Sequence, residues 1–88
     1  MKIIILYRPA SDHGQSVDEF VKEFSYRKPD LSLDVLSVET REGAEMANLY
    51  GIMVYPAMMV IGEDGQIDKD WQGLPLPLMD EVAYYALG

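Results

Sequence analysis

The sequence predicts an α/β fold with the element order βαβαββα, in which a four-stranded mixed sheet carries helices on both faces. A nearly continuous apolar run from Lys2 to Tyr7 is typical of a strand buried on both faces. Apolar residues then recur at helical spacing, and two later strand patterns flank the Asp64-Gly65 turn. The 88 residues contain no repeat or linker, so we expect one domain, residues 1–88.

The first helix is indicated by apolar residues at helical spacing, namely Val17, Phe20, Val21 and Phe24. Two starts fit the sequence. Ser16 and Glu19 match the capping-box pattern, whereas Ser11 or Asp12 would cap an earlier start. The helix is expected to end at residues 28–30, because Pro29 has no amide donor and restricts the residue before it.

A second strand and a shorter helix come next. Residues 33–38 read as a second strand, and Thr40 is placed to cap a helix that runs through Tyr50. Gly51 suits the left-handed exit from that helix. Its inward side is expected to carry Ala44, Met46 and Ala47.

The last third of the chain predicts a β-hairpin and a closing helix. Met58 and Met59 are expected in the core, because they lie in a central strand after Pro56. Residues 66–71 read as a half-exposed edge strand, with Ile67, Lys69 and Trp71 alternating with Gln66, Asp68 and Asp70. Gly73 ends that strand. The final helical face comprises Leu78, Met79, Val82, Ala83, Ala86 and Leu87.

Composition excludes several classes of function. A formal charge of −8 repels nucleic acid, so no nucleic-acid partner is expected. The chain has no cysteine, which rules out disulfides, thiolate nucleophiles and cysteine-bound metals. The apolar run at residues 3–6 is too short for a signal peptide or a membrane span, so we expect a cytoplasmic protein without a membrane partner.

The segment from Leu49 to Pro56, with the apolar run 57–61 and the turn at 63–66, resembles the second half of a thioredoxin. Residues 7–14 resemble the glutaredoxin pattern of a tyrosine, a proline and a Cys-x-x-Cys that opens the first helix. The whole chain therefore resembles the thioredoxin and glutaredoxin superfamily in its minimal form, without an extra N-terminal strand. In this alignment Ser11 takes the place of the nucleophilic cysteine and Gly14 that of the resolving cysteine.

The resemblance implies a scaffold whose thiol chemistry is absent. Disulfide exchange needs a thiolate, and a serine hydroxyl is hardly ionised near neutral pH. Ile5 stands where thioredoxins carry a buried acidic residue, which glutaredoxins also lack. The resemblance further implies a cis Tyr55-Pro56 bond, and it assigns to the backbone of Tyr55 the hydrogen bonding of an extended peptide or of glutathione.

The same loop holds residue types that serve other chemistry. Ser11, Asp12 and His13 have the residue types of a hydrolase triad, but neighbouring residues cannot form its linear relay. No metal-ligand spacing is present, so neither a metal site nor another cofactor is expected. Arg8 either holds a ligand carboxylate or forms a surface ion pair with one of the fifteen acidic residues.

The sequence thus favours a non-redox binding or regulatory module with no catalytic residue. Its groove would lie between loop 11–14 and the cis-proline, and it would take a peptide, a protein or a glutathione-like ligand. The candidate binding residues are Arg8, Ser11, Asp12, His13, Gly14, Tyr55 and Pro56. One alternative is a structural or oligomerisation module with an apolar face at 53–55. Another is a glutathione-binding enzyme that stabilises a thiolate through Ser11 or Tyr7.

Overall fold

The computed structural model of the protein describes residues 1–87. Its elements are β1 (Lys2–Tyr7), α1 (Gly14–Arg27), β2 (Leu33–Ser37), α2 (Arg41–Tyr50), β3 (Ala57–Ile61), β4 (Ile67–Gln72) and α3 (Met79–Leu87). The predicted order βαβαββα is confirmed. Among these residues no helix is both long enough and apolar enough to span a bilayer.

The four strands form one mixed sheet in the order β2-β1-β3-β4. Strand β1 runs parallel to β2, with Ile5 opposite Val35, and antiparallel to β3, with Ile5 opposite Met58. Strands β3 and β4 are antiparallel. Every residue of β3 is buried, which fits the prediction that a central strand is covered on both faces.

Alternating side chains of the central strands form two apolar layers. On one face, side chains of β1 and β3 pack against Val17 and Phe24 of α1 and Val82 of α3. On the other face, the intervening side chains pack against Ala47 of α2 and Ile52. The predicted placement of helices on both faces is confirmed. Met58 and Met59 are both buried in the core and point to opposite faces of the sheet.

Helix α1 begins at Gly14, so the start at Ser16 is wrong and none of the predicted caps is used. The N-cap residue is His13, whose side chain makes no capping hydrogen bond among the described residues. The Ser11 hydroxyl donates to the carbonyl oxygen of Arg8 at 2.6 Å and accepts no hydrogen bond from an amide of the helix.

Helix α2 agrees with the local signals of the sequence, with one correction. The hydroxyl oxygen of Thr40 accepts a hydrogen bond from the Gly43 amide at 3.1 Å, and Gly51 has a φ of 66°, as predicted. Ala47 is buried, but Ala44 is exposed, and Gly43 takes the inward position. A Cβ at Gly43 would overlap the carbonyl oxygen of Ser37, so only glycine permits this close approach.

Helix α3 presents fewer residues to the core than its pattern predicts. Val82 and Ala83 are buried, whereas Leu78 and Leu87 are exposed. Leu78 precedes the helix, which begins at Met79. Leu87 lies five residues beyond Val82 and hence about 140° around the helix from it, which turns its side chain to solvent.

The hairpin is confirmed, but β4 is not a regular alternating strand. Ile61 pairs with Ile67, while the adjacent Val60 pairs with Lys69, so Asp68 is an extra residue in a β-bulge. As a result, Ile67 packs on the α2 face, whereas Trp71 packs on the opposite face. The predicted single face for Ile67, Lys69 and Trp71 is therefore wrong.

Phe24 is the largest fully buried side chain, and it stacks against Phe20 with ring centroids 5.8 Å apart. We expect Phe24→Ala to lower the free energy of unfolding by about 3–5 kcal/mol, because it removes packed apolar volume between α1 and the sheet. Tyr26 on the same helix is 83% exposed. Tyr26→Ala, the matched control, should change stability by no more than about 0.5 kcal/mol in urea denaturation. Equal losses in the two variants would contradict the described packing.

Candidate functional site

The ends of β1 and β3 bring Arg8 and Tyr55 together. Leu6 pairs with Ala57, so the residues just beyond that pair lie side by side. The guanidinium carbon of Arg8 lies 5.6 Å from the centroid of the Tyr55 ring, within the range of a cation–π contact. The Tyr55-Pro56 peptide bond is cis. The structure thus brings two of the candidate residues together.

Arg8 does not form the surface ion pair that the sequence left open. The ion pairs within residues 1–87 join carboxylates to Arg27, Lys28 and Arg41, and Arg8 forms none. Of the three arginines, Arg8 is the one without an ion pair among the described residues. The Arg8 guanidinium keeps its hydrogen-bond donors available for an external carboxylate.

A shallow depression of about 510 Å³ opens beside this pair on the α2 side of the sheet. Its lining is Arg8, Val38, Ala44, Ala47, Asn48, Gly51, Ile52, Met53 and Tyr55. Arg8 is the one charged residue in that lining, and Asn48 adds an amide. The sequence placed the groove nearer residues 11–14, none of which lines this depression.

Residues 8–14 instead form a loop that closes on itself. The Ser11 amide donates to the carbonyl oxygen of Arg8 at 3.1 Å, beside the bond from the Ser11 hydroxyl to the same oxygen. The backbone N–H of Arg8 donates to Nε2 of His13 at 3.0 Å, which places the proton of a neutral imidazole on Nδ1. Asp12 is exposed. These bonds fix the backbone of Arg8 and leave no Ser-His contact of the kind that nucleophilic catalysis needs.

Gly14 is buried because it packs directly against the backbone of Pro9. A Cβ at Gly14 would overlap the carbonyl oxygen of Pro9 and lie 3.0 Å from its carbonyl carbon. A cysteine side chain at this position would therefore require the Pro9 backbone to move.

The Tyr7 hydroxyl forms an intramolecular hydrogen bond with a residue of α1. That hydroxyl donates to Oδ1 of Asp18 at 3.2 Å. Burial raises the pKa of Tyr7, and the negative charge of Asp18 and its hydrogen bond raise it further. The hydroxyls of Tyr7 and Ser11 are both engaged within the protein, which weighs against their stabilising a bound thiolate.

The segment before the cis-proline is held by Gln72, a residue that the sequence did not single out. Oε1 of Gln72 accepts hydrogen bonds from the amides of Met53 at 3.3 Å and Val54 at 3.4 Å. Within residues 1–87, the N–H and C=O of Tyr55 make no hydrogen bond. No sequence signal marked Gln72, since its role depends on the pairing of β4 with β3.

Apolar side chains surround this segment. Met53 is 84% exposed, Val54 52% and Leu74 58%. Gly73, with a φ of 84°, lies so close to Val54 that a Cβ there would be 3.3 Å from its Cγ1. The two loops thus present one exposed apolar surface beside Tyr55, and Leu74 was not anticipated from the sequence.

Comparison with known proteins identifies the fold. Thioredoxin O2 from Arabidopsis thaliana in its oxidised state superposes with a TM-score of 0.71 and 8% identity, over 94% of this chain and 69% of that one. Thioredoxin 1 from Thermosipho africanus superposes with a TM-score of 0.68 and 13% identity, over 97% of this chain and 89% of that one. A designed protein superposes with a TM-score of 0.70 and 18% identity, over 96% of this chain and 70% of that one. No family model and no curated protein sequence matches. The chain has a thioredoxin-like fold without the cysteines.

Within residues 1–87, no group of three His, Asp or Glu side chains is arranged to hold a metal ion. The site is defined by one unpaired cation, one unpaired stretch of backbone and apolar surroundings.

We expect Gly14→Ala to lower the free energy of unfolding by about 1–3 kcal/mol, because the added methyl group is forced against the Pro9 carbonyl. Ser16→Ala is the matched control, since Ser16 is exposed in the same helical turn. It should stay within about 0.5 kcal/mol of wild type. Urea denaturation measures both, and a Gly14→Ala variant as stable as the control would show that the loop is not closed as described.

Asp18→Asn should lower the pKa of Tyr7 while leaving it above its ordinary value, because burial, the largest single cause of the shift, remains. A raised folded-state pKa favours the neutral phenol, so its contribution to stability is present below pH about 10 and is lost as the pH rises through the folded-state pKa. NMR titration of tyrosine ring carbons would follow Tyr7. Glu19→Gln removes the same charge one residue along α1 and should leave Tyr7 unchanged. An unchanged Tyr7 titration in Asp18→Asn would rule out the contact.

Proposed function

We propose that the protein is a non-redox binding module that takes an extended peptide carrying a carboxylate at the site formed by Arg8 and Tyr55. The observation that carries this proposal is the Arg8 guanidinium, which is unpaired in an acidic chain and lies over Tyr55 beside an apolar depression. A planar guanidinium binds a carboxylate with two parallel hydrogen bonds.

The backbone of Tyr55 supplies the second element of recognition. Its N–H and C=O are unpaired within residues 1–87, and the preceding amides of Met53 and Val54 are held by Gln72. An extended peptide can pair with such a stretch as a short strand, through main-chain groups alone. The fold neighbours named thioredoxins share this architecture, and the superfamily resemblance assigns the same role to the residue before the cis-proline.

Apolar contacts supply the third element. Met53, Val54 and Leu74 are exposed next to Tyr55, and methionine adapts its shape to varied partners. Apolar side chains of the peptide would cover these residues while its carboxylate reaches Arg8. The residues of loop 11–14 contribute to the site indirectly, because their hydrogen bonds fix the backbone of Arg8.

The same apolar surface supports a second candidate function, a structural or oligomerisation module. Its exposed side chains at Met53, Val54 and Leu74 would then meet a second copy of the chain. The glutathione-binding enzyme is the least supported of the three functions. The hydroxyls of Ser11 and Tyr7 already donate to the Arg8 carbonyl oxygen and to Asp18, and the pKa of Tyr7 is raised.

NMR titration tests the binding proposal with three probes: glutathione, an extended pentapeptide with a free C-terminal carboxylate, and the same pentapeptide as its amide. We expect amide shifts at Arg8, Asn48, Met53 and Tyr55, with weaker binding of the amidated peptide. Arg8→Ala should weaken binding of the free acid by about tenfold or more, because a hydrogen bond to a charged group contributes about 1.5–3 kcal/mol.

Arg41→Ala is the matched control for this titration. Arg41 is a 92% exposed arginine whose Nε bonds to Glu45, and it does not line the depression. Its affinity for the peptide should equal that of wild type. Absence of shifts at Tyr55, or the same loss in both arginine variants, would refute the proposed site. Concentration-dependent shifts at Met53 and Val54 without ligand would favour the oligomerisation alternative instead.

A further inference from the structure

The two edges of the sheet differ in how far they resist pairing with another strand. Strands β2 and β4 lie at the edges, since the order is β2-β1-β3-β4. An edge strand offers unpaired N–H and C=O groups, and proteins protect such edges with charges, bulges or covering segments. A comparison of the two edges therefore shows where an added strand would be admitted.

The β4 edge carries two of these protections. Asp68, Lys69 and Asp70 place three consecutive charged residues in the strand. The β-bulge at Asp68 also interrupts the regular pairing of β4. An added strand would meet a broken register and charges of both signs.

The β2 edge has no bulge and carries fewer charges. It pairs with β1 in an unbroken register from Leu33 to Ser37, and it contains a single charged residue, Asp34. Val35 is 36% exposed although it lies in the middle of the strand. Within residues 1–87, no strand pairs with its outer side.

Charge determines which strand suits this edge. Asp34 is exposed in the strand, and Asp30 and Glu39 lie in the segments that flank it. The whole chain carries a formal charge of −8, so a second copy would bring an equal negative charge to the same edge. A basic strand would meet opposite charge both at Asp34 and over longer distances.

We infer that β2 is a second binding edge, which accepts an extended segment with alternating apolar and basic residues from a partner protein. Main-chain hydrogen bonds along residues 33–37 would hold the segment. Its apolar side chains would cover Val35, and a basic side chain would lie near Asp34. This surface is distinct from the Arg8 site and does not depend on the function proposed there.

NMR titration and hydrogen exchange with a synthetic peptide test this inference. The probe alternates valine and lysine, and the comparison peptide alternates valine and glutamate. We expect the lysine peptide alone to shift and protect amides in residues 33–37, and to bind more weakly at high salt because the charges are exposed. Asp34→Lys should weaken binding about fivefold or more, since it replaces an attractive cross-strand charge pair with a repulsive one.

Asp68→Lys is the matched control, because it makes the same charge change at an exposed residue of the other edge strand. It should leave the affinity within about twofold of wild type. Equal losses in the two variants, shifts confined to β4, or no binding of the lysine peptide would overturn the inference. A dimer of the unliganded chain in sedimentation, with protection of Val35, would overturn the choice of a basic partner. Shifts at Tyr55 alone would support the Arg8 site and refute this one.

Discussion

The position of β1 is the constraint on which the structure depends. This strand is paired with β2 on one side and with β3 on the other, and both of its faces are covered, so Ile3 to Leu6 are buried. Its parallel pairing with β2 requires a crossover, which α1 provides by returning the chain across one face of the sheet. Its antiparallel pairing with β3 sets the neighbours at the strand ends, because the chain that leaves Tyr7 must pass the residues before Ala57. The contact of Arg8 with Tyr55 is a direct result.

The features that the sequence predicted well are those that depend on local chemistry or on burial. A strand covered on both faces needs a continuous apolar run, and residues 3–6 supply one. The hydroxyl of Thr40 and the left-handed Gly51 bound α2 as expected, because caps act within one helical turn. The start of α1 was not predictable, since several residues were able to cap and the structure uses none of their side chains. The bulge at Asp68 was also not predictable from the sequence, because it depends on the pairing register of β3 with β4.

The candidate site also contains some features that the sequence predicted and some that it did not. The superfamily resemblance put Arg8 beside the former active site and Tyr55 at the groove, and the strand order in the structure makes the two residues neighbours. The resemblance treated Ser11 and Gly14 as separate replacements of two cysteines. In the structure they belong to one closed loop, in which the Ser11 hydroxyl donates to the Arg8 carbonyl oxygen and Gly14 packs on Pro9. The role of Gln72 and the depression on the α2 side depend on contacts between segments that are distant in the sequence. No local pattern of residues predicts such contacts.

A thiol site and a binding site make opposite demands on residues 8–14. Thiol exchange needs an attacking atom that is exposed and a loop with room for a second sulfur. Here the Ser11 hydroxyl is bonded to the backbone, and Pro9 leaves no space for a side chain at Gly14. Those contacts, together with the bond from the Arg8 amide to His13, hold the backbone from which the Arg8 side chain extends. An arginine on a fixed backbone loses less conformational entropy when it binds a carboxylate than one on a mobile loop. The same closed loop thus leaves no room for a side chain at residue 14 and fixes the backbone that carries Arg8.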